Sequence, residues 1–153
     1  GQIKHIIMYQ FFKIVHSYWA YLVLLIVTLA TVNALIGFMS RRYYAPKDFR
    51  ISLFALIVTH IQLLIGIVIF FASPWVVWFS GTHKVGEIMK DATLRLYNLE
   101  HPMIMILMVA FITVGYSKHK KKRTSTPKFK ALAIFYTLAW LFMLSRIPWA
   151  NWF

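Results

Sequence analysis

The sequence predicts an all-α integral membrane protein, a bundle of four transmembrane helices that forms a single domain over residues 1–153. Hydrophobic residues make up 60% of the chain and its mean hydropathy is +0.65, far more apolar than a soluble globular domain. Four apolar blocks, at about 17–39, 51–73, 95–117 and 131–147, approach or exceed the roughly 20 helical residues that cross a hydrocarbon core. Because barrel strands alternate in polarity with a period of two, these continuous blocks favour helices.

The basic residues predict how the four spans are oriented. Of the 17 Lys and Arg residues, four lie between the first two blocks (41–50) and seven between the last two (118–130). Positively charged loops stay in the cytoplasm, so we expect both termini and the long connection 74–98 on the opposite, outer face. Tryptophans concentrate at membrane interfaces, and five of the six fall at the predicted outer boundary: Trp19, Trp75, Trp78, Trp149 and Trp152.

Two segments outside the spans are amphipathic. In the outer loop, Val85, Ile88, Met89 and Leu96 recur at helical spacing between charged residues, which predicts a short helix lying on the membrane surface. Residues 1–13 have the same character and are expected at the interface as well. We expect no cleavable signal peptide, because the first apolar block is too long and no small-residue cleavage site follows it.

The composition excludes several kinds of function. Without cysteine the chain has no disulfide, no thiolate metal site, no covalently attached haem and no cysteine nucleophile. The basic residues behind the net charge of +13 lie between the apolar blocks and at their ends, so no nucleic-acid partner is predicted. The lysine-rich loop 118–130 is either a topology determinant or a contact for anionic lipid. No nucleophile has a base at recognisable spacing, so no catalytic residue is assigned and enzymatic activity is left open.

Ionisable residues within the apolar blocks are the candidate functional residues. His16, His60 and the pair Glu100-His101 occupy such positions, and an ionisable group costs roughly 2.5 to 3.5 kcal/mol at the centre of a spanning helix, so it generally serves a ligand, a proton or a partner. Neutral imidazole binds haem iron, and a four-helix bundle presents histidines from different helices to one cofactor. We therefore take His16, His60 and His101 as candidate cofactor-binding residues.

The depths of the three histidines leave the ligand pair open. His60 lies about 13 Å from the inner end of the second block, near mid-membrane, and His101 roughly 24 Å from the inner end of the third. His16 lies farther out, and each pair that includes His101 is separated by roughly 10 Å on these estimates. We favour His16 and His101 as metal ligands at the outer side, because the ends of their two blocks are the least sharply defined. His60 is then expected near the macrocycle edge or in a proton path.

Arg146 is predicted to belong to the same outer site. It follows the fourth apolar block and should reach the layer that contains Glu100 and His101. There its guanidinium is suited to neutralise a carboxylate, either a haem propionate or Glu100. The second alternative makes Glu100 and Arg146 a structural ion pair between helices.

The remaining polar and sulfur-containing residues have simpler interpretations. Three uncharged polar residues within the blocks are expected to form interhelical hydrogen bonds: Asn33, Thr59 and Gln62. Three histidines in loops or at the interface are expected to be solvated: His5, His83 and His119. Three methionines suit Cu(I) but do not share one helix face, so packing is favoured over copper: Met103, Met105 and Met108.

One glycine lies in each of the first three blocks: Gly37, Gly66 and Gly115. Small residues let membrane helices approach closely. These positions therefore mark candidate points of close contact between helices, or between a helix and a planar cofactor.

Several short motifs carry a resemblance to a known family. They are His16-Ser-Tyr-Trp, His60-Ile-Gln-Leu-Leu-Ile-Gly66, Lys90-Asp91 followed by Glu100-His101, and Ile147-Pro148-Trp149. Over nearly its whole length the chain resembles small bacterial four-helix membrane proteins of the cytochrome-b-like type, and more distantly b561-type cytochromes and the half-bundles of haem A synthases. The resemblance implies haem b, electron transfer and the bacterial inner membrane. It implies a haem-binding role for His16, His60 and His101.

Two classes of function follow from these observations. The first is a membrane-bound b-type cytochrome or haem-handling protein that exchanges electrons with a quinone or a membrane-complex partner. The second is a non-enzymatic accessory or assembly subunit of a larger inner-membrane complex, in which the histidines and the Glu100–Arg146 pair form a buried polar network. A small transporter or metal-ion carrier is weaker, because the four spans show no internal repeat.

Overall fold

The computed structural model describes the backbone of residues 1–152 and the side chains of residues 1–150. The side chain of Trp152, assigned to the interfacial belt from the sequence, therefore lies outside the described residues. The described chain contains no strand, and its helices are α1 (Gln2–Met39), α2 (Pro46–Ala72), α3 (Val85–Lys90), α4 (Ala92–Arg95), a π-helix (Leu96–Glu100), α5 (His101–Lys121), α6 (Ser125–Arg146) and α7 (Trp149–Trp152).

Four helices are long and apolar enough to cross a membrane, which confirms the predicted all-α architecture. They are α1, α2, the continuous run Ala92–Lys121 and α6. Each extends past at least one end of the apolar block from which it was predicted. Their apolar surfaces suggest a lipid bilayer as the surroundings of this multi-pass protein, while the orientation of the bundle in that bilayer stays a prediction.

Neighbouring helices run antiparallel and close into a ring. Helix α1 packs on α2 and α6, and α5 packs on α6 and α2. Short connections at residues 40–45 and 122–124 form one end of the bundle, which we call the basic end because the eleven loop cations flank it. The long connection 73–91 lies at the opposite end, which we call the loop end.

Both amphipathic segments predicted from the sequence are helical. Residues 2–13 continue directly into α1, and Val85–Lys90 forms the separate helix α3. In α3 the apolar side is partly covered, since Ile88 is almost fully buried while Val85 and Met89 are exposed. Their placement on a membrane surface stays a prediction.

Two of the three glycines lie where helices meet most closely. A Cβ atom at Gly37 would lie 2.5 Å from the ring of Phe129, and one at Gly115 would lie 2.5 Å from the Cβ atom of Phe135. Phe129 is completely buried. The glycines therefore set the separation of α6 from α1 and from α5, as the sequence suggested.

Hydrogen bonds from side chains to backbone carbonyls also join the helices. Trp19 Nε1 donates to Val58 O (2.9 Å) and Tyr136 Oη donates to Ser52 O (2.8 Å), which ties α2 to α1 and to α6. Thr31 Oγ1 donates to Tyr136 O at 3.2 Å. Each bond satisfies a polar group that would otherwise be buried without a partner among apolar side chains.

A polar junction joins α1 and α2 at the basic end. Asn33 Nδ2 and Arg42 Nη2 both donate to Asp48 Oδ1, at 2.9 and 2.8 Å, and Ala45 N donates to Asp48 Oδ2 at 2.8 Å. Asp48 thus satisfies an amide at the start of α2, where negative charge is favoured. Asn33 forms the interhelical bond predicted for it, and Gln62 does so as well, whereas the Thr59 hydroxyl bonds carbonyls of its own helix.

The prediction that His119 is solvated is wrong. Its side chain is fully buried between the two short loops at the basic end. His119 Nδ1 donates to Tyr116 O, so Nε2 is unprotonated and accepts from the Tyr44 hydroxyl at 2.8 Å. Burial raises the pKa of Tyr44 to about 12, so the phenol stays neutral and keeps its donor. His119 was mistaken for a loop residue because α5 continues beyond the third apolar block.

Replacing Gly115 with alanine is expected to destabilise the bundle by about 1 to 3 kcal/mol, because the added methyl group forces α5 and α6 apart. The thermal midpoint of the purified protein in detergent measures the effect. Gly86→Ala is the matched control, since a Cβ there meets nothing within 4 Å. Equal midpoints for both variants would contradict the close helix contact at Gly115.

Candidate functional site

Two of the three candidate histidines face each other near the loop end. The ring centroids of His16 on α1 and His101 at the start of α5 are 6.5 Å apart, and the ring planes are inclined by 86°. The sequence-based separation of roughly 10 Å was too large because α5 runs to Lys121. Counted from the helix ends Met39 and Lys121, His16 and His101 lie about 35 and 30 Å along their helices.

The imidazole of His101 is held in one orientation by the end of α6. Its Nδ1 atom is 2.7 Å from Arg146 O. A carbonyl oxygen only accepts, so Nδ1 carries the hydrogen and Nε2 presents a lone pair with no partner in the described chain. This is the arrangement in which metal-bound histidines are commonly oriented, by a bond from the second ring nitrogen to a carbonyl.

The acceptor for His101 is available because α6 stops at Arg146. Ile147 is extended, with φ −67° and ψ 133°, as is usual for a residue that precedes proline. Pro148 cannot donate a backbone hydrogen bond to the last turn of α6. The carbonyl oxygens of that turn therefore have no helical partner, and the side chain of His101 takes one of them.

His16 is held through its backbone, and its ring nitrogens are left without partners. Gln62 Nε2 donates to His16 O at 2.9 Å, and Gly66, one turn farther along α2, faces the imidazole: a Cβ there would lie 3.5 Å from His16 Cε1. His16 Nδ1 and Gln62 Oε1 are both buried without hydrogen-bond partners in the described chain. The Gln62 amide nevertheless lies beside the imidazole, so an acceptor for Nδ1 is close at hand.

A charged cluster adjoins the histidine pair. Glu100 Oε2 lies 3.3 Å from Arg95 Nε, and Glu100 Oε1 lies 3.8 Å from Arg146 Nε. Arg146 thus reaches the layer predicted for it, and the Glu100–Arg146 ion pair is present. With two guanidinium groups for one carboxylate, the cluster carries a net positive charge beside the imidazoles. All three side chains are partly exposed, at 27 to 41%, so ligands can reach them.

His60 lies elsewhere, on the exposed side of α2. Its Nδ1 is 2.7 Å from Leu56 O, and its Nε2 is 3.4 Å from Thr113 Oγ1. Thr113 follows His101 by twelve positions in α5, about 18 Å along the helix. The structure therefore does not bring His60 to the pair formed by His16 and His101.

The π-helix in front of His101 is anchored by Asn98, a residue that the sequence analysis missed. Asn98 Oδ1 accepts from Val77 N at 2.8 Å and Nδ2 donates to Trp75 O at 2.9 Å, while Trp78 Nε1 donates to Asn98 O at 2.7 Å. The loop 74–80 is thereby fastened to the turn that positions His101. Neither spacing nor polarity distinguishes Asn98 in the sequence, because its partners are mostly backbone atoms.

Metal binding by protein side chains alone finds little support. Among the residues that the structure describes, no group of three or more His, Asp or Glu side chains is placed to hold a metal ion. The methionines considered for copper face different directions, with Met103 exposed and Met108 buried.

Comparison of the chain with models of known protein families, with curated proteins and with solved structures finds no match. The resemblance to cytochrome-b-like proteins is therefore neither strengthened nor weakened by these comparisons. The geometry of the site carries the functional argument.

Replacing Asn98 with leucine is expected to loosen the attachment of the loop 74–80 to the π-helix, since the two side-chain hydrogen bonds to Val77 N and Trp75 O are lost. Hydrogen–deuterium exchange at the Val77 amide should accelerate, while exchange in α1 and α6 stays unchanged. Thr82→Ala, an exposed substitution in the same connection, is the control. Unchanged protection of Val77 in Asn98→Leu would show that other contacts hold the loop.

Proposed function

We propose that the protein is a membrane-bound b-type cytochrome that holds one haem between His16 and His101 and takes part in electron transfer or haem handling. The observation that carries the proposal is the pair of facing imidazoles from different helices, 6.5 Å apart. Facing imidazoles on separate helices are how bundles hold such a cofactor.

The separation of the rings would allow both imidazoles to bind one metal. Coordinate bonds of about 2.0 Å from one nitrogen of each ring would be compatible with the 6.5 Å between the ring centroids of His16 and His101. Perpendicular ring planes are compatible, because each imidazole binds through one nitrogen and its rotation about that bond is free. His101 Nε2 is available as the donor atom, and the ring nitrogens of His16 have no other partner.

The surrounding residues orient the two ligands. Arg146 O fixes the protonation of His101 and makes its Nε2 more basic. Gln62 holds the backbone of His16, and its unpaired Oε1 can accept from His16 Nδ1, which leaves Nε2 for ligation. Gly66 keeps the space beside the His16 ring free of a side chain.

The charged cluster supports the same proposal. A b-type haem, when bound, supplies one-electron redox chemistry and carries two propionate groups. Arg95 and Arg146 are partly exposed donors of the kind that bind carboxylates, and their charges exceed that of Glu100. They would hold the propionates at the loop end and stabilise the reduced, less positive state of the iron.

Electron exchange would then take place at the loop end of the bundle. The histidine pair lies near that end, and the positive-inside pattern puts it on the outer side of a bacterial inner membrane, with the basic loops in the cytoplasm. A quinone or a membrane-complex partner that reaches this end would be the electron donor or acceptor.

A second function, that of an accessory subunit of a larger membrane complex, is favoured by a different observation. Both arginines of the cluster already contact Glu100. The ion pairs therefore form within the chain, without a cofactor. In that case the histidines serve to join α1, α5 and α6, and purified protein should stay colourless when haemin is supplied.

The spectrum of purified protein reconstituted with haemin separates the two functions. After reduction with dithionite we expect a Soret band and sharp α and β bands in the wild type. His101→Ala and His16→Ala should each abolish the low-spin spectrum, because one axial ligand is lost. His60→Ala should retain it, since that ring lies away from the pair. A full spectrum in His101→Ala, or its loss in His60→Ala alone, would contradict the assigned ligands.

Arg146→Gln is expected to lower the reduction potential of the bound haem. It removes a positive charge from the site but keeps the Arg146 carbonyl that orients His101, so haem binding should persist. Redox titration measures the shift, with Arg50→Gln at the basic end as the control for charge alone. A potential unchanged in Arg146→Gln would place the haem away from the cluster.

A further inference from the structure

A groove runs along the surface between α1 and α2 near the basic end. Its volume is about 280 Å³, and it is lined chiefly by Leu29, Val32, Asn33, Ile36, Ile51 and Phe54. Apart from Asn33 these side chains are apolar, and four of them, Leu29, Val32, Ile36 and Phe54, are about half exposed. The groove is therefore a surface feature that an apolar chain can enter from the side.

The α2 wall of the groove changes from apolar to cationic within one helical turn. Lys47 lies four residues before Ile51, and Arg50 lies four residues before Phe54. Each cation therefore lies on the same side of α2 as the apolar residue that follows it, one turn nearer the basic end. Both are exposed, and neither pairs with a carboxylate in the described chain. Because side chains in a helix tilt toward its N-terminus, these cations point away from the apolar part and toward the polar end.

The polar junction at the end of the groove adds hydrogen-bond donors. Arg42 Nη2 donates to Asn33 Oδ1 at 2.8 Å and to Asp48 Oδ1 at 2.8 Å, and Asn33 lines the groove. Of the five N–H donors of this guanidinium, the one on Nε is buried, and the two on Nη1 have no partner in the described chain. Asp48 is the only acidic residue before position 87, and Arg42 neutralises it. The charge at this end of the groove is therefore positive.

We infer that this groove binds one anionic phospholipid, with an acyl chain along Leu29, Val32 and Phe54 and the phosphate at Lys47 and Arg50. The groove is apolar along its length and cationic at its basic end. An anionic phospholipid has the matching arrangement, with an apolar acyl chain attached to a negatively charged headgroup. A second copy of the chain would bring the same cations against each other, and a neutral quinone offers no charge for them. The site is separate from the histidine pair, so it stands independently of the proposed haem.

Native mass spectrometry of the detergent-purified protein, incubated with phosphatidylglycerol or phosphatidylcholine of the same acyl chains, tests this inference. We expect one phosphatidylglycerol to be retained and phosphatidylcholine to be lost. The double substitution Lys47→Gln/Arg50→Gln should weaken phosphatidylglycerol binding roughly thirtyfold. Lys84→Gln/Lys90→Gln removes the same charge from exposed positions at the loop end and should leave binding unchanged.

A second variant tests the apolar part of the site. Val32→Trp fills the groove from an exposed position, so the fold should survive, as circular dichroism would verify, while lipid retention is lost. Equal retention of both lipids, equal losses in the two double variants, or full retention in Val32→Trp would each overturn the inference. It would also be overturned if the wild type carried a neutral quinone in the groove, or if it were a dimer that Val32→Trp dissociates.

Discussion

Polar groups inside an apolar bundle must find partners within the protein, because neither lipid nor the packed interior supplies them. The helix ends of this chain show how that requirement is met. At the start of α2, Asp48 accepts from a backbone amide, and at the end of α6 the Arg146 carbonyl accepts from His101. The second bond follows from Pro148, which ends α6 and leaves the carbonyl free. The orientation of the imidazole that carries the proposed function is thus a consequence of where a neighbouring helix stops.

The two ends of the bundle differ in how completely this requirement is satisfied. At the basic end, the carboxylate of Asp48 and both ring nitrogens of His119 have partners, and Arg42 Nε is buried without one. At the loop end, both ring nitrogens of His16 and Nε2 of His101 are left open. An unpaired buried polar group costs about 1 to 3 kcal/mol, and His16 Nδ1 and Gln62 Oε1 are two such groups at this end.

The sequence sufficed to predict the four long helices, and it predicted the close helix contacts at Gly37 and Gly115 and the ion pair of Glu100 with Arg146 each as one of two alternatives. These follow from hydropathy, residue size and charge, which act locally. The separation of His16 and His101 was overestimated, because hydropathy does not mark where α5 ends in the lysine-rich segment. The role of Asn98 was not predicted for another reason. Its partners are mainly backbone atoms that the tertiary fold brings near, and the sequence does not mark them.

The π-helix Leu96–Glu100 makes the relative positions of Asn98 and His101 sensitive to the deletion of a residue from this segment. It accommodates one residue more than an α-helical turn does, and about 100° of rotation separates successive residues in a helix. Deleting a single residue here would restore regular winding but turn Asn98 and His101 relative to each other. The loop anchor and the imidazole could not both keep their positions. Natural variants of this segment should therefore conserve the number of residues between Asn98 and His101.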